Sequence, residues 1–211
     1  MPQVINIRKQ GFALAVLWIA LAAQFSWILL RHFRSGASWS HLAYALIVGI
    51  AFAGLAISRE RSRWLAPLLR IFIGLAFVSA ILDRFGLLGG PGTPGIAWGN
   101  FRNFAAYTAQ VNSFLPAAII PALAIIETAI EATLGAAMLL GIRVRLASAG
   151  SSLLLWILGA AMTISLGIGS QFVYAVFVLA AGAWVLATLE RSAAFSLDAL
   201  RLRLLRKRYA Q

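Results

Sequence analysis

Long apolar runs separated by short basic turns organise this chain. The first run extends from about Gly11 to Leu30, the second from about Leu42 to Ile57, and the third from about Trp64 to Asp83. A fourth covers about Pro116 to Gly141, a fifth about Leu146 to Ile168, and a sixth about Phe172 to Leu189. A helix needs roughly 17–25 apolar residues to cross a bilayer, and the second run sits near the lower limit. Strands of a membrane barrel alternate apolar and polar positions, which these unbroken runs do not. The pattern predicts an all-α, polytopic membrane protein with six transmembrane helices. A cleavable signal peptide competes for the first run, because Ala20-Leu21-Ala22 could pass for a cleavage site. The run continues through FSWILL to Arg31, however, which is longer than a signal core and reads as a retained span.

Composition agrees with the pattern: 62% of the 211 residues are hydrophobic and 11% charged, more apolar than a soluble domain of this size requires. The net charge of +12 raises nucleic acid as a partner, but the basic residues are divided among short turns and a tail, which is topology information first. With six spans, one side collects Arg8, Lys9, Arg59, Arg61, Arg63, Arg143, Arg145, Arg191, Arg201, Arg203, Arg206, Lys207 and Arg208. The other side receives only Arg31, Arg34, Arg84 and Arg102. The positive-inside rule then places both termini in the cytoplasm. The chain contains no cysteine, so thiol catalysis, iron–sulfur clusters and thiolate metal sites are closed to it. His32 and His41 are the only histidines; they flank the first outside turn, where interfacial solvation is expected rather than a metal.

Two non-spanning stretches carry their own signals. The connection from Arg84 to Leu115 opens with the turn formers GLLGGPGTPG and continues with Phe101, Phe104, Ala105, Thr108 and Val111 at helical spacing. It is expected to form a short helix on the outer surface, anchored by aromatic rings at the membrane–water boundary or closing over the bundle as a lid. The tail, residues 191–211, is amphipathic: Leu197, Leu200 and Leu204 share a face, beside Arg201, Arg203, Arg206, Lys207 and Arg208. Such a segment lies on anionic lipid or docks a partner. RNA is the weaker partner, since no aromatic stacking platform accompanies the basic residues.

The chemistry concentrates in PALAIIETAIEATLGAAMLLGIRVR, where Glu127 and Glu131 lie one helical turn apart inside an apolar span. Ionisable groups at bilayer depth face a partner or a wet cavity. Arg70 lies roughly 9–10 Å deep in the third helix and Glu131 roughly 15 Å deep in the antiparallel fourth, at about 1.5 Å per residue. An Arg70–Glu131 ion pair is therefore expected, with Glu127 further outward and either protonated or in contact with water. The pair can serve helix register alone, or it can form part of a polar pocket that binds a quinone headgroup or relays protons. Asp83 and Arg84 are expected to form a local cap or salt bridge. Asn100, Asn103, Tyr107 and Asn112 offer hydrogen bonds beneath the loop, with solvated loop polars as the alternative.

Several of these residues resemble the DoxX family of small prokaryotic membrane proteins. The opening-helix pattern is seen in LLRIFIGLAFVSAILDRFG as Arg70, Gly74, Phe77 and Arg84, and a later signature as Glu131, Gly135, Gly141 and Arg143. The outside segment AWGNFRNFAAYTAQVNSFLP is similar to DoxX-like loops containing asparagine and tyrosine. The likeness covers about Trp64 to Leu189. It implies a DoxX-like four-helix bundle over 61–190 with an external loop at 84–115; outside that region lie an added transmembrane hairpin over 1–60 and the basic tail at 191–211. It further implies a membrane subunit of a redox assembly, not a stand-alone enzyme, with quinone as the cofactor to consider and a membrane redox protein as the partner. Two departures limit it: the added hairpin, and Glu127 as an extra acid. A small transporter or channel for protons or a solute, and a purely structural docking subunit, stand as alternatives. A quinone site requires an apolar slot ending at Glu131 or Tyr107, a channel a polar path to both surfaces, and a docking subunit no pocket.

Overall fold

The computed structural model describes residues 2–201 and 204, leaving aside the side chains of residues 2–7, 40 and 41. Everything regular among the described residues is helical. The elements are α1 (Pro2–Ser35), α2 (Trp39–Ser58), α3 (Leu65–Arg84), α4 (Phe101–Val111), α5 (Ile120–Leu140), α6 (Val144–Leu166), α7 (Ser170–Val173) and α8 (Val176–Thr188). Four helical stretches are long and apolar enough to cross a membrane: Arg8–Ser35, Leu65–Arg84, Ala117–Leu140 and Val144–Leu166. The apolar helices Leu42–Ser58 and Val176–Thr188 are shorter. Each of the first five predicted runs contains one long helix, whereas the sixth, Phe172 to Leu189, is broken at Tyr174 and Ala175 into the end of α7 and α8, where Ala175 takes a left-handed conformation (φ 52°). The first differs in length, because the helix continues past its apolar stretch through Arg31, His32 and Arg34 at one end and through Arg8 and Lys9 at the other.

α8 lies at the centre. Its residues are apolar all round, and Val178, Ala180, Ala181, Ala183, Val185 and Leu186 are fully buried, as a helix without a polar face must be. It packs most extensively on α6 and next on α1, while α3 pairs with α5. α2 closes against α1 and α8, where Phe52 fits directly over Gly182. The four helices α3, α5, α6 and α8 form one bundle, and α1 and α2 lean on its α8 side.

The α3–α5 pair decides where the charged residues meet. Gly74 sits against Leu139, and Gly135 sits against Phe77 and the Gly74 carbonyl, so the two backbones approach closely. Towards the end of the bundle that carries α4, Arg84 lies opposite Thr128. At the opposite end, nearest the C-terminal tail, Gly141 takes a left-handed conformation (φ 69°) that stops α5. A side chain there would also collide with Ser196 and with Arg70 Nη1. The tail docks on this turn: the Asp198 amide donates to Gly141 O (3.2 Å), and the Val144 amide donates to Asp198 Oδ2 (3.1 Å). Trp64 stacks on Phe195 at 4.6 Å beside it. Residues 197–201 are helical and keep Leu197 and Leu200 exposed.

A Cβ at position 74 would lie 2.9 Å from Leu139 Cγ and 3.1 Å from the Leu139 amide nitrogen. Gly74→Ala is expected to lower the stability of the detergent-solubilised protein by about 1–3 kcal/mol through overpacking. Gly11→Ala, where nothing lies within 4 Å, should be neutral or slightly stabilising because alanine is the better helix former. Thermal unfolding of the two variants side by side checks this ordering.

Candidate functional site

Side-chain direction explains which charges meet. Cα–Cβ bonds in a helix tilt towards its N-terminus. Arg84, the last residue of α3, therefore points back into the bundle. The glutamates of antiparallel α5 lean the opposite way, towards it. Arg84 Nη2 lies 2.7 Å from Glu131 Oε2 and 3.7 Å from Glu127 Oε1. Its Nη1 donates to Thr128 Oγ1 at 3.0 Å, and Thr128 Oγ1 in turn donates to Ala124 O at 2.8 Å. The short contact with Glu131 is a charge-assisted pair between guanidinium and carboxylate. The guanidinium also lies 3.7 Å from the centre of the Phe104 ring and 5.3 Å from that of Trp98, within cation–π range. With 2% of its side chain exposed, Arg84 is a buried cation enclosed by carboxylates on one side and aromatic faces on the other.

The expected Arg70–Glu131 pair does not form. Arg70 donates instead to the carbonyls of Ser192 (3.1 Å) and Phe195 (3.2 Å) at the tail end of the bundle. The α3–α5 register puts Arg70 level with the Gly141 turn, ten residues from Glu131, or roughly 15 Å along the axis. Snorkelling takes the arginine towards the nearer helix end, away from the acids. Asp83 and Arg84, expected to form a local cap or salt bridge, do not pair with each other. Asp83 turns outward and accepts from the amides of Ala97 (2.8 Å), Trp98 (3.1 Å) and Gly99 (2.7 Å). That triple contact ties the 85–100 connection to the end of α3 and sets Trp98 over Arg84.

The loop helix is part of the site. α4 packs on α5 and α6, with Phe104, Thr108 and Val111 buried. Asn100 caps it by accepting from the Asn103 amide at 2.8 Å, which is a structural role. Between α3, α4, α5, α6 and the start of α8 lies a cavity of about 650 Å³. Arg84, Glu127, Glu131, Tyr107, Asn103, Asn112 and Tyr174 supply its polar positions, and Phe77, Ala80, Leu155, Leu158 and Met162 are among its apolar walls. Burial raises the Tyr107 phenol above its ordinary pKa, and nearby Tyr174 and Glu127 push it the same way, so it keeps its O–H at neutral pH.

Of the residues singled out from sequence, Arg84, Asn103, Tyr107, Asn112, Glu127 and Glu131 share this cavity. Asp83 and Asn100 build its rim, and Arg70 lies elsewhere. Thr128, Trp98, Phe104 and Tyr174 complete the site; Arg84 was expected beside Asp83, and its pairing with the two acids is what sequence reasoning missed. The tilt of Cβ vectors towards the helix N-terminus is the signal that could have found that pairing. Outside the cavity, His32 stacks on Trp39 at 4.1 Å and its Nδ1 lies 3.0 Å from Ala37 O. Arg201 is exposed; Arg203, Arg206, Lys207 and Arg208 lie outside the described residues. No family model, curated protein or solved structure matches this chain.

Removing Arg84 leaves two buried carboxylates without their cation, so Arg84→Ala should cost about 3–5 kcal/mol. In double-mutant cycles followed by unfolding, Arg84→Ala with Glu131→Gln should show a coupling of about 0.5–3 kcal/mol. Arg70→Ala with Glu131→Gln should be additive within about 0.5 kcal/mol.

Proposed function

We propose that this chain is a membrane subunit of a redox-type assembly whose cavity receives the headgroup of a lipid-borne quinone. The observation that carries the reading is the convergence of Arg84, Glu127, Glu131 and Tyr107 on one cavity with otherwise mostly apolar walls. Binding sites for amphipathic small molecules have this make-up: an apolar enclosure with a few convergent polar groups. The resemblance to DoxX proteins supports the same reading and suggests the partner, a membrane redox protein.

The rival readings fit less well. A purely docking subunit has no use for a polar cavity of this size. A channel needs polar continuity to both surfaces, whereas the close α3–α5 contact at Gly74 and Gly135, with Met138 fully buried nearby, lies between the cavity and the tail end. In this reading α2 supplies the second crossing. The sixth comes from α7 and α8 together, which Tyr174 and Ala175 separate. Both termini face the cytoplasm of a prokaryote, the cavity opens in the outer half of the inner membrane, and the basic tail rests on anionic lipid.

Native purification in mild detergent, followed by extraction and mass spectrometry, tests this function. The wild-type protein should retain near-stoichiometric quinone, and Arg70→Ala should retain it too if folded. Glu131→Gln and Tyr107→Phe should weaken retention roughly tenfold or more, the loss expected for a hydrogen bond involving a charged or buried group. A stoichiometric protein partner with no quinone in any sample would contradict the headgroup site.

A further inference from the structure

The charges around the cavity leave one carboxylate over. α3 contributes Arg84, and α5 contributes Glu127 and Glu131. α4 and the break before α8 contribute the phenols Tyr107 and Tyr174, while α6 presents the apolar Leu155, Leu158 and Met162. Asp83 is turned away and held by three backbone amides. With both glutamates ionised, the enclosure carries one net negative charge against mostly apolar walls. The two acids do not share the cation equally. Glu131 Oε2 takes the 2.7 Å contact with Arg84, whereas Glu127 Oε1 stands at 3.7 Å and has no nearer charged partner among the described residues. Glu127 also shows more of its side chain, 13% against 5%. It lies one turn, roughly 6 Å, closer to the α4 end of the bundle. Asn103, Ala106, Gln110 and Tyr174 line the cavity and are themselves exposed, so the enclosure opens to the surface beside α4.

We infer that Glu127 is a proton-binding site: it holds the proton that balances the charge of the cavity and exchanges it with water at the α4 end. Two carboxylates on one cation do not both ionise readily in such an enclosure, because each opposes the charging of the other and burial opposes both. The guanidinium keeps its own proton throughout. A proton on Glu127 leaves Arg84 and Glu131 as a matched pair. A proton on Glu131 would instead weaken the closest contact and leave the charge on the acid further from the guanidinium. The site does not rest on the headgroup reading, since the proton is held whether or not the cavity is occupied.

Dicyclohexylcarbodiimide, an apolar reagent, tests this on the full chain in an ester-free detergent. A protonated carboxyl gives its proton to one reagent nitrogen while its oxygen bonds to the central carbon. The acyl group then migrates to nitrogen and nothing leaves, so peptide mass spectrometry finds the whole reagent on the residue that held the proton. At neutral pH the adduct should sit on Glu127 rather than on Glu131 or the exposed Glu190. Its yield should fall about tenfold per pH unit above the midpoint of a single carboxyl. Glu131→Gln releases Arg84 to Glu127, which then ionises, so labelling of Glu127 should fall roughly tenfold or more. Infrared spectroscopy of the unlabelled protein needs neither reagent access nor Glu131→Gln. A carboxylic-acid C=O band should be present at neutral pH, shift in heavy water and vanish in Glu127→Gln. Labelling of Glu131 in place of Glu127, a Glu127 adduct unmoved by Glu131→Gln, or the absence of an acid band would each overturn the assignment. A band that heavy water leaves in place would overturn the exchange.

Discussion

One buried guanidinium shared by two carboxylates is the constraint around which this protein is built. Taking Arg84, Glu127 and Glu131 out of water costs several kcal/mol per ion, and an ion pair regains that only when the geometry is good and further contacts complete it. The further contacts are visible here: Thr128 takes one nitrogen, Phe104 and Trp98 cover the cation, and Asp83 fixes the loop that places Trp98. Register follows from the same contacts. α3 and α5 can slide past one another only by separating Arg84 from Glu131 and lifting Gly74 and Gly135 out of their close approach.

The two arginines of α3 show how the direction of a side chain divides labour along one helix. Both lean towards the N-terminus of α3. For Arg70 that direction leads to the helix end, where the carbonyls of Ser192 and Phe195 await it and lock the tail onto the bundle. For Arg84 it leads inward, to the acids. The helix therefore closes the bundle at one end and charges a cavity at the other. The cavity remains beneath α4 because Phe104, Thr108 and Val111 dock that helix on the bundle while the surrounding walls stay apolar.

Much of this could be read from the residues. Unbroken apolar runs located the long helices, the 3.6-residue spacing in the 84–115 connection located α4, and two acids in an apolar span marked α5 as the chemical helix. The pairing was not legible, because depth was measured from estimated helix ends without regard to side-chain direction. A few ångströms of apparent depth then matched Arg70 to Glu131. The register that separates them depends on Gly74 meeting Leu139, a tertiary contact with no local signature. The role of Asp83 was hidden for a similar reason. Its partners are backbone amides of Ala97, Trp98 and Gly99, more than a dozen residues on, and amides carry no sequence signal.

Because the chain has no native cysteine, the α3–α5 register can be measured directly by disulfide trapping in native membranes. Cysteines at Gly74 and Leu139 should cross-link rapidly under mild oxidation, since a Cβ at 74 falls 2.9 Å from the Leu139 side chain and bridged cysteines require Cβ atoms about 3.5–4.5 Å apart. Cysteines at Gly74 and Glu127 should not. The reverse outcome, a bridge from 74 to 127 and none to 139, would bring Arg70 level with Glu131 and contradict the assignment of the buried charge to Arg84.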